Sequence, residues 1–377
     1  MTFQEARIGW GGPSFSRLSY GIVSMDIKRD YYEDIELFKS TTVLVWSILG
    51  VIALAILPWL VAKHHILGLS IYLVNLITIN SIVAIGLNIL VGYTGQISMG
   101  HAGFFAIGAF TTLILMMKGG FPLFLALPIG GFISSAFGFL LGIPALRLKG
   151  PYLAIATLGF GMAVTTTIKH LEFFGGRMGL QAPKLKFFGT PVKDIHLYYL
   201  IMTIAILMVI GAVKLIRTRV GRAFVAIRDS DIAAEAMGVN LTYYKTLAFA
   251  VSAFYTGIAG GLYAFILGFI NAESFHLIMS ITFLAMIVVG GLGSIMGSIA
   301  GATLMTYLDI KLQAIQDVPG IGPVLVAFSQ QYMTVGGISN IAPIVYGMIM
   351  IMIVLFEPLG LFGFWIRMKR YWKTWPF

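Results

Sequence analysis

From Ser40 to Ala62 no Asp, Glu, Lys or Arg interrupts the chain, and between Glu273 and Asp309 the same holds over a still longer run. Stretches of this length can cross a hydrocarbon core of about 30 Å as helices. Inside a bilayer the backbone has no water to bond to, so each such stretch must satisfy its amides and carbonyls internally. That constraint makes the chain an all-α, polytopic helical membrane protein. Composition agrees: 58% of the 377 residues are hydrophobic, 11% are charged and the mean hydropathy is +0.92, whereas soluble domains carry about 25% charged residues. The net charge of +10 sits in short clusters beside apolar runs, as the positive-inside pattern expects, and does not indicate nucleic acid. Absence of cysteine excludes a disulfide framework and any thiolate metal site.

Read in order, the chain falls into three parts. Residues 1–40 form an extramembrane extension with five basic and six acidic side chains, unlike the short basic start of a secretory signal. Its last segment, DYYEDIELFK, reads as a surface helix or as a flexible tail. Residues 41–366 form the membrane domain, and 367–377 a basic tail whose four cations and two Trp suit a cytoplasmic interface. Spans are expected over Ser40–Ala62, Ile66–Leu90, Ala102–Met117, Phe121–Leu146, Pro151–Lys169, His196–Ile216, Thr246–Ile270 and Ile341–Phe364. Between Glu273 and Asp309, Gly290, Gly291 and Gly293 predict two short or broken helices in place of one long one. These add up to roughly ten spans, some broken or re-entrant. An even count with a basic C-terminal tail puts both termini in the cytoplasm, together with the segment 217–245. The Gly-rich loop 171–194 then faces outside despite its net positive charge. The pair His64 and His65 has no third ligand nearby, so no metal site is expected.

Two regions stand out. The stretch from Asn88 to Gly108 mixes glycines with Tyr93, Gln96, Ser98 and His101, and is poor material for an uninterrupted helix. With Asn75, Asn80 and Asn88 these side chains are candidates to line a translocation pathway; the competing reading is close helix packing with each polar group bonded to a neighbour. The segment 217–245 holds eight of the forty charged residues. There Asp229 or Ser230 can cap a short helix, Asp231 and Glu235 suit its early turns, and Gly238 ends it. Ile232 and Met237 would be its apolar contacts. So short a helix needs support, either from the chain's own loops or from a partner.

The chemistry is narrowed by what is missing. Carboxylates and cations fall at span ends, which argues against an ion-coupled carrier. No G-x-x-x-x-G-K-[ST] occurs, so any nucleotide that drives the chain binds elsewhere. Scattered histidines without cysteine supply no enzyme site.

The motifs GLNILVGYTGQISMGHAGFFAIGA from Gly86, LRLKGPYLAIATLGFG from Leu146, GRAFVAIRDSDIAAEAMGVN from Gly221, AFAVSAFYTGIAGGLYA from Ala248 and IVVGGLGSIMGSIAGA from Ile287 stand in order. In these the chain resembles the permease subunits of ABC importers for branched-chain and other hydrophobic amino acids, and the second, M-type permease more than the first. Residues 1–40 match nothing in that pattern, and Glu357 stands where the family more often has Arg. The resemblance implies a non-catalytic subunit of the cell (inner) membrane, embedded in lipid. It also implies a homologous second permease, two cytoplasmic ATPases holding the ATP and Mg, and an extracytoplasmic substrate-binding protein. The chain itself would need no cofactor and no metal. Arg222, Asp229, Ser230, Asp231, Ile232, Glu235, Met237 and Gly238 would then meet the ATPase. Alternatives are the same kind of complex carrying urea, amides or small organic acids, and a carrier that works alone.

Overall fold

The structure, a computed structural model, describes residues 41–64, 70–148, 150–184, 186–187, 190–191, 194–313, 341–357 and 360–374. The extension 1–40, Lys149 and the loop with Asp317, Pro319 and Pro323 lie outside the described residues. The helices are α1 (Thr41–His64), α2 (Ile71–Thr94), α3 (His101–Met117), α4 (Leu123–Ala145), α5 (Pro151–His170), α6 (Asp194–Arg217), α7 (Arg219–Asp229), α8 (Asp231–Ala236), α9 (Leu241–Leu267), α10 (Leu277–Gly290), α11 (Ile295–Gln313), α12 (Ile341–Phe356) and α13 (Gly360–Thr374). Two short antiparallel ladders complete the chain. One pairs β1 (Leu180–Gln181) with β4 (Phe269–Ile270), the other β2 (Lys186–Phe187) with β3 (Thr190–Pro191).

Among the described residues six helical stretches are long and apolar enough to cross a membrane, and two shorter apolar helices accompany them. Helix α9 is the centre, packed against α2, α3 and α4. Its contacts work through missing side chains: a β-carbon on Gly108 or Gly260 would run into the backbone of Gly257 or Phe105, and one on Gly138 would stand 2.7 Å from the Phe249 carbonyl oxygen. Close approach of small residues is how helices gain packing where lipid offers no hydrophobic drive. Gly290, Gly297 and Gly301 bring α10 and α11 together in the same way.

Pro58 inside α1 has no amide to give the carbonyl of Leu54. The Tyr198 hydroxyl of α6 donates to that oxygen at 2.6 Å, and Tyr199 donates to the next carbonyl, Ala55, at 3.0 Å. A freed backbone group at membrane depth is thus repaired by a neighbouring helix. The expected last span, Ile341–Phe364, is split: α12 stops at Phe356 and α13 begins at Gly360, whose φ is +66°. Arg367 of α13 turns back to bond Glu357 at 2.9 Å.

Candidate functional site

Helix α2 carries four of the expected pathway residues, Asn75, Asn80, Asn88 and Tyr93, and it is the most enclosed of the six candidate spans, with 83% of its apolar window buried. Two of its asparagines are bonded to distant parts of the chain. Asn80 Nδ2 donates to Thr306 Oγ1 at 2.9 Å. Asn88 donates to the Ser294 carbonyl at 2.9 Å and to Ser298 Oγ at 2.6 Å, and its own oxygen accepts from the Gly293 amide at 2.9 Å. In this way α2 holds the break between α10 and α11, where Gly291 and Gly293 take φ of +117° and +76°.

The second break, residues 95–100, separates α2 from α3. Gly95 adopts φ +71° and turns its amide back onto Leu90 and Val91. The Met99 amide donates to Thr157 Oγ1, and the Ala102 amide in the first turn of α3 donates to Ser280 Oγ, both at 2.9 Å. First-turn amides lack intrahelical partners, so these hydroxyls do the work that water would do outside a membrane. Buried His101 has Nδ1 3.1 Å from Ser98 Oγ and Nε2 2.7 Å from Ser252 Oγ. Asn80, Asn88 and His101 therefore bond across to other parts of the bundle, whereas Ser98 bonds within its own turn to His101. Asn75 Oδ1 and Gln96 Nε2 are buried without a hydrogen-bond partner, and Tyr93 is half-buried.

The segment 217–245 forms α7, α8 and the start of α9. Ser230, with extended backbone, is the cap: its Oγ accepts from the Ala233 amide at 3.2 Å. Asp229 is instead the last residue of α7 and accepts from Arg228 Nε and Nη2 at 3.1 and 3.0 Å. Gly238 at φ +85° ends the turn, and Asn240 caps α9. Helix α8 is rooted on one side by buried Ala234 and by a largely buried pair, Asp231 Oδ2 to Lys245 Nζ at 2.8 Å. On the other side Ile232 and Met237 are 80% and 85% exposed. Glu235 and Arg222 are exposed as well. Support from the chain's own residues and a free apolar surface thus occur together. Between α8 and the end of α2 lies a cavity of about 360 Å³, lined in part by Gly95, Gln96, Arg228, Ile232 and Lys245. Arg228 and Lys245 drew no attention in the sequence, because a cation in a polar loop carries no sign of its partner.

Helix α5, the expected span Pro151–Lys169, is the other open element. Only 22% of its apolar window is buried, and it is the least hydropathic of the six candidate spans. Its exposed residues include the small Ala156, Gly159, Ala163 and Thr166 beside Tyr152, Ile155 and Met162. No group of three or more potential metal ligands occurs among the described residues.

Glycine-broken apolar helices around a buried polar seam, with a rooted helix and bare apolar tips in a polar loop, define a polytopic helical membrane protein. The family described as branched-chain amino acid transport system / permease component matches residues 69–355, and the chain belongs to it. A high-affinity branched-chain amino acid transport permease, LivM, of Salmonella typhimurium is 36% identical over 262 residues, covering 63% of this chain and 62% of that protein. A probable LivM of Methanocaldococcus jannaschii is 25% identical over 74% of this chain and 89% of its own length. An autoinducer 2 import permease, LsrC, of an Enterobacter species is 30% identical over 50% of this chain and 54% of its own length. The chain thus spans about three fifths of the Salmonella relative. No solved structure matches.

Proposed function

We propose that the chain is one permease of an ATP-driven importer for branched-chain or other hydrophobic amino acids, and that α8 is its contact with a cytoplasmic ATPase. The observation that carries this reading is the pairing of a rooted, capped helix with bare Ile232 and Met237. Apolar side chains held rigidly in a polar region are the kind of anchor a partner surface buries. Closure of an ATPase dimer would move α8, and the spans with it; no covalent intermediate forms on the permease.

The same reading gives the assembly. A homologous second permease would face α5 across the substrate path, two ATPases would hold ATP and Mg, and an extracytoplasmic binding protein would deliver cargo. The apolar helices then make about ten crossings, with both termini and the segment 217–245 in the cytoplasm of a bacterial-type inner membrane. Cargo choice is the open part of the proposal, because relatives are named for branched-chain amino acids and for autoinducer 2. Specificity would reside largely in the binding protein.

The test is transport by vesicles holding the full complex. Uptake is expected to require ATP, and Glu235→Arg or deletion of Asp231–Met237 is expected to separate hydrolysis from uptake. Gradient-driven uptake by this chain alone, indifferent to ATP, would overturn the reading.

A further inference from the structure

Helix α2 ends in a turn whose carbonyls have no amide left to bind. The amide four residues beyond Gly92 belongs to Gln96, and it donates to Leu90 instead, at 3.1 Å. Arg228 Nη1 takes up the Gly92 carbonyl at 3.2 Å. A cation at a helix C-terminus is favoured by the aligned peptide dipoles, and a guanidinium can bond there while holding a second partner. That second partner is Asp229, one residue before the cap of α8.

The same side chain touches both breaks. Its Cγ lies 3.4 Å from where a β-carbon on Gly95 would stand, and its Nη1 lies 3.3 Å from that position on Gly293. Both glycines have positive φ. The two breaks also meet each other here, since a β-carbon on Gly92 would run into the Gly293 amide. One arginine therefore bonds the root of α8 to the C-terminus of α2 and stands beside the turn between α10 and α11. Beside it the cavity of about 360 Å³ leaves α8 room to shift, so the link between α8 and the breaks does not run through a filled core.

We propose that Arg228 is the positioning residue that carries displacement of α8 to both helix breaks. The inference rests on the reading of α8 as the ATPase contact. Without the guanidinium, α8 moves but the ends of α2 and α11 do not follow, and nucleotide turnover becomes separated from passage of cargo. A residue with a merely structural role would change the amount of assembled complex and not the ratio of transport to hydrolysis in what assembles.

The experiment measures radiolabelled leucine taken up per ATP hydrolysed, using the complete complex in vesicles. Arg228→Ala is expected to lower that ratio by about tenfold or more, the scale of one charge-assisted hydrogen bond. Arg228→Lys, which keeps the charge and loses the fork, is expected to fall between alanine and wild type. Lysine also supplies the measurement should the alanine variant fail to assemble. A wild-type ratio in assembled variants overturns the role of Arg228 and leaves the transport reading standing. A native complex that takes up leucine without ATP overturns both.

Discussion

Helices α5 and α6 are equally uncovered within the chain, each with 22% of its apolar window buried, yet their open faces differ. On α6 that face is Thr203, Leu207 and Ile210, and the span is the most hydropathic of the six. On α5 the small residues Ala156, Gly159, Ala163 and Thr166 are interleaved with exposed Tyr152, Ile155 and Met162, and the span is the least hydropathic. Lipid tails favour the first kind of surface, whereas small and hydroxyl-bearing residues favour close approach of another helix or a wet path. Asn80 and Asn88 of α2 differ from both: enclosed, they are bonded to α11. A polar residue in an apolar chain marks a path only when the face it lies on is open.

The comparison can be broken by substitution. Asn88→Leu should have the largest effect, since it orphans the Gly293 amide and removes one bond each from the Ser294 carbonyl and Ser298 Oγ, which still bond each other. The orphaned amide costs roughly 1–3 kcal/mol and each lost bond about 1 kcal/mol more, so folded protein in detergent should melt far lower or fail to accumulate. Gly260→Val comes next, because its side chain meets the backbone of Phe105; overpacking of about 1–3 kcal/mol should lower the melting midpoint. On the open faces the readout is chemistry. In the assembled complex Ala163→Cys on α5 should react with a water-soluble maleimide about tenfold faster or more than Leu207→Cys on α6, because thiolate forms in water and not in lipid. Equal rates would erase the distinction between the faces. Leu207→Ile should be smallest, within about 0.5 kcal/mol, with uptake unchanged.

Where the chain must break, glycine announces it, so the interruptions near Gly95 and Gly291 were legible in the sequence. Ser230 as a cap and Gly238 as a stop were legible for the same reason: their chemistry is local. The partners of Asn88 lie 205 or more residues away, and no local pattern reports them. The open face of α5 was hidden because lipid, core and helix interface are all apolar, which removes the polar-against-apolar signal that orients helices in soluble proteins. Span ends drifted where caps lie beyond the membrane: α9 begins at Leu241, behind the Asn240 cap, and not at Thr246. The last span breaks where Gly360 takes a left-handed turn.

The central claim is that α8 is the surface an ATPase holds, and affinity tests it most directly. With purified permease in detergent and the cognate ATPase titrated in, the double variant Ile232→Asp, Met237→Asp removes the two bare apolar contacts and leaves the Ser230 cap and the Asp231–Lys245 root untouched. The account predicts a Kd weaker by at least about 30-fold, the sum of two buried anchors at more than 1 kcal/mol each, with the melting point of the permease alone unmoved. An unchanged Kd would contradict it.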